Sequence, residues 1–203
     1  MAFIEDGATT KTEATRDTVF LIGDSIKGCY APFVKEELAD MAEVVYPTDN
    51  CRNTQYVLVS LNNWLNICNP ECVKVVQFNC GHWDVAHWSG EERSLNTVEV
   101  YADNIKRIIK RLKTVFPNAK IVFATTTAMN PTYTTCTNPR SNEEIAVFNK
   151  AAVAACGDDA YINDLFTLSV KYGPEFYQDY CHFNEKGSRD LAQHIALFLR
   201  ELV

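Results

Sequence analysis

No stretch of this chain approaches the roughly 20 consecutive apolar residues needed to cross a bilayer, so the sequence offers no membrane-spanning helix. Excess positive charge is missing too. The formal net charge is −7 at pH 7, which gives neither nucleic acid nor an anionic membrane surface anything to hold. With 8 Gly and 7 Pro scattered over 203 residues, there is no Pro/Gly-rich linker and no repeat, which argues against several domains or an array. Residues Met1 to Asp17 are polar and charged and lack an apolar signal-peptide core. They are expected to form a lead-in (1–17) to one domain (18–203), and the missing export signal favours a cytoplasmic location.

What is present fits a globular enzyme-sized domain: 47% of residues are hydrophobic, enough for a full core. The 8 cysteines are expected to be free thiols, because a chain of this size needs no disulfide staples. Two sets of residues invite a zinc reading. Cys68-x3-Cys72 lacks a second matching pair, and Cys80, His82, Cys181 and His182 would have to meet from two loops. Neither metal nor cofactor is expected.

Short β-branched or apolar runs predict strands at Thr18–Ile22, Glu43–Tyr46, Val73–Phe78, Lys120–Ala124 and Ala160–Asn163. Between them lie helical stripes. Tyr101, Ile105, Ile108, Ile109 and Leu112 share one face, and Ser141 to Glu144 reads as a capping box. Lys106, Arg107, Lys110 and Arg111 interleave with that stripe, either as a patch for an anionic ligand or as a solvated helix face. A last helix after Asn184 buries Leu191, Ile195, Phe198 and Leu199. The βα alternation predicts a three-layer α/β/α sandwich with right-handed crossovers around a parallel sheet.

Gly23-Asp24-Ser25 follows the first strand and precedes a helix, so Ser25 is displayed at the rim of the sheet. Near the other end, Asp179-Tyr180-Cys181-His182 supplies a base and a carboxylate to orient it, which are the groups a serine nucleophile needs. A plainer reading makes Ser25 a helix cap or a phosphate ligand. The following Ile26-Lys27-Gly28-Cys29 is poor in hydroxyls for a phosphate cradle. His87 in a loop and His194 in the last helix have no carboxylate three residues upstream.

These two blocks, in this order and context, resemble the first and last motifs of the SGNH/GDSL hydrolases, a family of esterases and lipases, over Thr18 to Val203. The resemblance implies a flavodoxin-like five-stranded parallel sheet in the order 2-1-3-4-5, with the switch point between strands one and three. It also implies catalytic Ser25, Asp179 and His182. An oxyanion hole would come from the Ser25 N–H, a second-block glycine N–H and a third-block asparagine. The second block reads Asp49-Asn50-Cys51-Arg52-Asn53, with Cys51 or Arg52 where the family has glycine. The third reads Gly81-His82-Trp83-Asp84, with Trp83 in the asparagine position. Trp83 or His82 could supply the donor instead, or the hole could rest on two backbone N–H groups. Cys51, Arg52, Gly81, His82, Trp83 and Asp84 are therefore the candidate oxyanion and substrate-binding residues.

Trp83, His87 and Trp88 read either as a flat aromatic wall for a sugar or as ordinary loop packing. Thr125-Thr126-Thr127 reads as a strand end. The expected partner is a small-molecule or carbohydrate ester, and the expected activity is serine-dependent ester hydrolysis, with acetyl esters preferred. A lysophospholipase or thioesterase, a non-catalytic binding module on the same scaffold, and a flavodoxin-like cofactor binder are the alternatives.

Overall fold

The computed structural model describes residues 16–133 and 136–203; of the expected lead-in, residues 1–15 lie outside the described residues. Five parallel strands, β1 (Thr18–Ile22), β2 (Glu43–Val45), β3 (Val73–Phe78), β4 (Lys120–Ala124) and β5 (Tyr161–Asn163), form one sheet in the order β2-β1-β3-β4-β5. Two strands are one residue shorter than expected. The β1–β2 ladder ends at the Phe20–Val45 pair, leaving Tyr46 beyond it, and the β4–β5 ladder begins at Val122–Tyr161, after Ala160.

Seven α-helices among the described residues lie between or after the strands: α1 (Ser25–Glu37), α2 (Thr54–Ser60), α3 (His82–Val85), α4 (Val98–Val115) and α5 (Asn142–Cys156) within the connections, and α6 (Leu165–Ser169) and α7 (Glu185–Arg200) after β5. Strand periodicity sorts the core into two layers. Val19 and Leu21 of β1 face Tyr30 and Val34 of α1 and Leu191, Ile195 and Leu199 of α7. Phe20 and Ile22 face the opposite way, toward Val57 of α2, Ile105, Ile108 and Leu112 of α4, and Ile145 and Phe148 of α5. Both faces of β1 are thus covered, which is why its sequence is an unbroken apolar run.

The stripe on α4 is buried while Lys106, Arg107, Lys110 and Arg111 are exposed, as a solvated helix face would be. The capping box at α5 forms as expected: Glu144 N donates to Ser141 Oγ at 3.1 Å and Ser141 N to Glu144 Oε2 at 2.8 Å. The sheet order puts the C-terminal ends of β1 and β3 at the topological switch point, where an open α/β sheet leaves a crevice.

Candidate active site

Ser25 owes its position to a turn that is tied from below. Gly23 has no room for a side chain, since a Cβ there would lie 2.3 Å from Asn79 Oδ1 and 2.6 Å from Lys27 Cβ. Asp24 caps α1, its Oδ1 accepting from Ile26 N and from Asn79 Nδ2, each at 3.0 Å. Asn79 Oδ1 in turn accepts from the buried Tyr30 hydroxyl at 2.6 Å. Burial pushes the Asp24 carboxyl upward against the lowering pull of Ile26 and Asn79, and its Oδ2 has no partner. Ser25 is the first helical residue, so its N–H is one of the orphan donors at the positive end of α1.

The second motif closes on itself. Asp179 Oδ1 accepts from Cys181 N at 2.9 Å and from His182 N at 2.8 Å, while Oδ2 lies 2.7 Å from His182 Nδ1. His182 Nε2 is 2.8 Å from Ser25 Oγ, bridging 157 positions of sequence. Burial opposes the charge of Asp179, yet the Cys181 and His182 N–H groups and the His182 ring outweigh it and hold the carboxyl below its ordinary range. Asn130 pins this loop from outside, with N donating to Tyr180 O at 2.9 Å and Nδ2 to Asp179 O at 3.0 Å. His194 stands apart, on Asn163 Oδ1 at 3.1 Å.

Across the cleft the structure redistributes the expected roles. Cys51 is buried and its N–H donates to Gly23 O at 3.1 Å, so it has no backbone donor to offer a substrate. Arg52 has φ 49, the left-handed conformation that glycine adopts freely. Its N–H is engaged by Asn50 Oδ1 at 3.0 Å. Asp84 is not in the cleft. It is buried beneath it, accepting from Thr54 Oγ1 and Asn96 Nδ2, each at 2.6 Å, and from Thr54 N at 3.2 Å. Burial raises its pKa to about 6 despite the Thr54 and Asn96 hydrogen bonds, and it anchors the start of α2 under the second block.

Gly81 is likewise a support, with φ 154 and a Cβ position only 1.9 Å from Thr126 Oγ1. His82 borders the cleft but has no N–H to spare. Arg140 Nε can only donate, so His82 Nδ1 is its acceptor at 3.1 Å, and Nε2 carries the proton toward Thr127 Oγ1 at 3.1 Å. Burial, with the nearby Arg140 and His182 charges, holds His82 well below the ordinary histidine range.

Trp83 does face the cleft. Its ring packs on Trp88 at 4.6 Å, and Trp88 Nε1 donates to Trp83 O at 3.0 Å; the Trp83 indole N–H has no acceptor among the described residues. His87 turns away to Glu144, at 2.7 Å. Two cavities share Trp83 and Trp88: a chamber of 180 Å³ bordered also by Ser25, His182, Asn50 and Arg140, and a groove of 460 Å³ bordered also by Arg52, Tyr56 and Leu95. Asn50 and Arg140 escaped the sequence reading. Asn50 stood next to a flagged position, but Arg140 lies in a loop that no motif marks.

The four residues of the second zinc reading do not form a cluster among the described residues. The atoms that do converge belong to Asp179, Cys181 and His182, within 4.8 Å of one another. His182 Nδ1 and Asp179 Oδ2 are hydrogen-bonded to each other at 2.7 Å, and burial pushes the Cys181 thiol up to about 12, so binding a cation here would have to break that bond and deprotonate the thiol. Among the described residues no helix is long and apolar enough to cross a membrane.

Neither a protein-family model nor a curated protein sequence matches the chain. Solved structures do. An acetyl xylan esterase, AlAXEase, superposes with a TM-score of 0.72 at 16% identity, covering 90% of this chain and 99% of its own. A lipase/acylhydrolase from Enterococcus faecalis gives 0.69 at 20%, covering 92% and 96%. A GDSL-like lipase from Bacteroides thetaiotaomicron gives 0.65 at 11%, covering 92% and 89%. The chain therefore has the SGNH/GDSL hydrolase fold, over nearly the whole length of these structures.

Proposed function

We propose that this chain is a carboxylic-ester hydrolase that works through an acyl-enzyme on Ser25. The observation that carries the reading is the relay itself, Ser25 Oγ to His182 Nε2 at 2.8 Å and His182 Nδ1 to Asp179 Oδ2 at 2.7 Å. In this reading His182 takes the hydroxyl proton as Oγ attacks the ester carbonyl, then returns it to the leaving alcohol. Water reverses the sequence to free the acid. Asp179 fixes the tautomer and stabilises the imidazolium. The Ser25 N–H at the start of α1 is the first oxyanion donor. The Asn50 amide and the Trp83 indole N–H border the same chamber and are assigned here as further oxyanion donors, in place of the family's glycine and asparagine.

The finer reading is an acetyl esterase on a carbohydrate. A 180 Å³ chamber suits a short acyl group, and the Trp83–Trp88 wall offers a flat apolar face for a sugar ring. The acetyl xylan esterase among the structural neighbours supports the same direction. One observation favours a second reading, a non-catalytic binding module: the Cys51 and Arg52 N–H groups are both engaged within the protein. Hydrolysis of p-nitrophenyl acetate by the wild-type chain, compared with a long-chain acyl ester and a thioester, separates these cases. Turnover of acetate above the long-chain and thioester rates is expected. No turnover of any of them would leave the binding module.

A further inference from the structure

Among the described residues, no carboxylate forms a salt bridge with the Arg140 guanidinium. The described acidic side chains pair with Lys74, Lys113, Lys186, Arg189 and Arg200 and with two histidines, and none bridges to Arg140 or Arg52, although the chain as a whole carries −7. Every partner of Arg140 is neutral: Nε donates to His82 Nδ1 at 3.1 Å, Nη1 to Asn138 O at 3.0 Å and Nη2 to Cys181 Sγ at 3.3 Å. The plane also stands over the Tyr180 ring at 5.3 Å. Of five N–H donors, one on each terminal nitrogen is left over, and the side chain borders the same 180 Å³ chamber as Ser25 and His182. A charge that is fixed from several sides, bridged by no described carboxylate and set beside a nucleophile is preorganised for an anion. The Arg140 charge does act on Asp24, favouring its ionised form, but neither Asp24 nor Asp179 forms a salt bridge with it: Asp24 Oδ1 accepts from Ile26 and Asn79, and Asp179 Oδ1 accepts from the Cys181 and His182 N–H groups. Arg52 adds a second unpaired guanidinium along the adjoining groove, stacked 4.6 Å from the Tyr56 ring and 5.9 Å from Trp83.

We propose that Arg140 is a specificity residue that reads a negative charge on the substrate, so that the ester carries a carboxylate a few bonds from its scissile carbonyl. The inference rests on the hydrolase reading above and deepens it. The carboxylate could come from the acyl side, as in the monoester of a short dicarboxylic acid, or from the alcohol side, as in an acylated uronic acid.

The test measures binding in Ser25→Ala, so that it does not depend on turnover. Calorimetric titration compares two matched pairs at low salt: ethyl hydrogen succinate with ethyl butyrate, and an O-acetyl methyl glucuronoside with the corresponding glucoside. The acidic member of at least one pair is expected to bind about tenfold tighter, and the successful pair identifies the source. In Ser25→Ala with Arg140→Met the preference should shrink to about threefold or less, while Arg140→Lys retains part of it. High salt should erode the preference in the parent. Equal affinities within both pairs, or a preference that survives Arg140→Met, would overturn the proposal. A purely structural Arg140 would weaken acidic and neutral members alike. Wild-type hydrolysis of p-nitrophenyl acetate is scored separately, so a failed hydrolase reading and a failed charge preference are told apart.

Discussion

On one wall of the cleft Asp179 and His182 stand three positions apart and are fixed by hydrogen bonds within their own short loop. Around the rest of it, Asn50 and Arg52, Trp83, and Arg140 arrive from two loops and the short helix α3 and are held by one another and by their neighbours: Asn50 by Arg52 N, Arg140 by His82 and by Cys181 of the first wall, and the base of the second block by Asp84. The first wall uses backbone geometry that tolerates little change. The second replaces backbone features with side chains, an arginine at a left-handed position and an indole where an amide is expected. In the proposed reading, the machinery for bond breaking and the surface that chooses the substrate are built by different means, and they should fail differently.

Substitution in the first wall should be the most damaging. Ser25→Ala is expected to lower turnover of p-nitrophenyl acetate about a thousandfold or more; retention of a tenth of the activity would contradict the nucleophile assignment. Asp179→Asn keeps an acceptor for the Cys181 and His182 N–H groups but can turn an NH₂ toward His182 Nδ1. Steady-state kinetics should show a loss of about a hundredfold or more with near-native melting.

Breaking the support of the second wall should cost stability as well as activity. Gly81→Ala would set a methyl 1.9 Å from Thr126 Oγ1 at φ 154, and denaturant unfolding should register a loss of about 3 kcal/mol. Asp84 adds a pH signature. Its folded pKa, about 6, is raised above the ordinary 3.8, so between those values the folded state binds more protons than the unfolded state. This group's contribution is thus full below pH ~3.8 and lost as the pH rises through ~6, by about 2–3 kcal/mol. The stability difference between wild type and Asp84→Asn should fall over that interval, and a constant difference would refute the shift. Trp83→Phe keeps the ring and removes the indole donor. A loss of more than threefold in kcat is expected, and a smaller one would remove Trp83 from the oxyanion hole. EDTA should leave turnover unchanged; inactivation would revive a metal at Asp179, Cys181 and His182.

Legibility in the sequence followed the same division. β1, β3 and β4 were readable to the residue because strands covered on both faces are continuous apolar runs between polar turns, and the α5 capping box was readable because it is local. Asp179 and His182 share one short segment, so their meeting could be anticipated. The engagement of the Cys51 N–H by Gly23 and the burial of Asp84 could not, since the first depends on how the segments after β1 and β2 meet and the second on how those after β2 and β3 do. Arg140 was hidden for the same reason: its partners, His82 and Cys181, are 58 and 41 positions away. The strand order was implied by family resemblance, because periodicity carries no information about which strands are neighbours.

The most direct test of the central claim is reaction with a serine-directed fluorophosphonate, with the added mass located by peptide mass spectrometry in the wild type and in His182→Ala. The account predicts a single adduct on Ser25 that is formed by the wild type and is strongly slowed without His182. An unlabelled wild type, or an adduct on another residue, would contradict it.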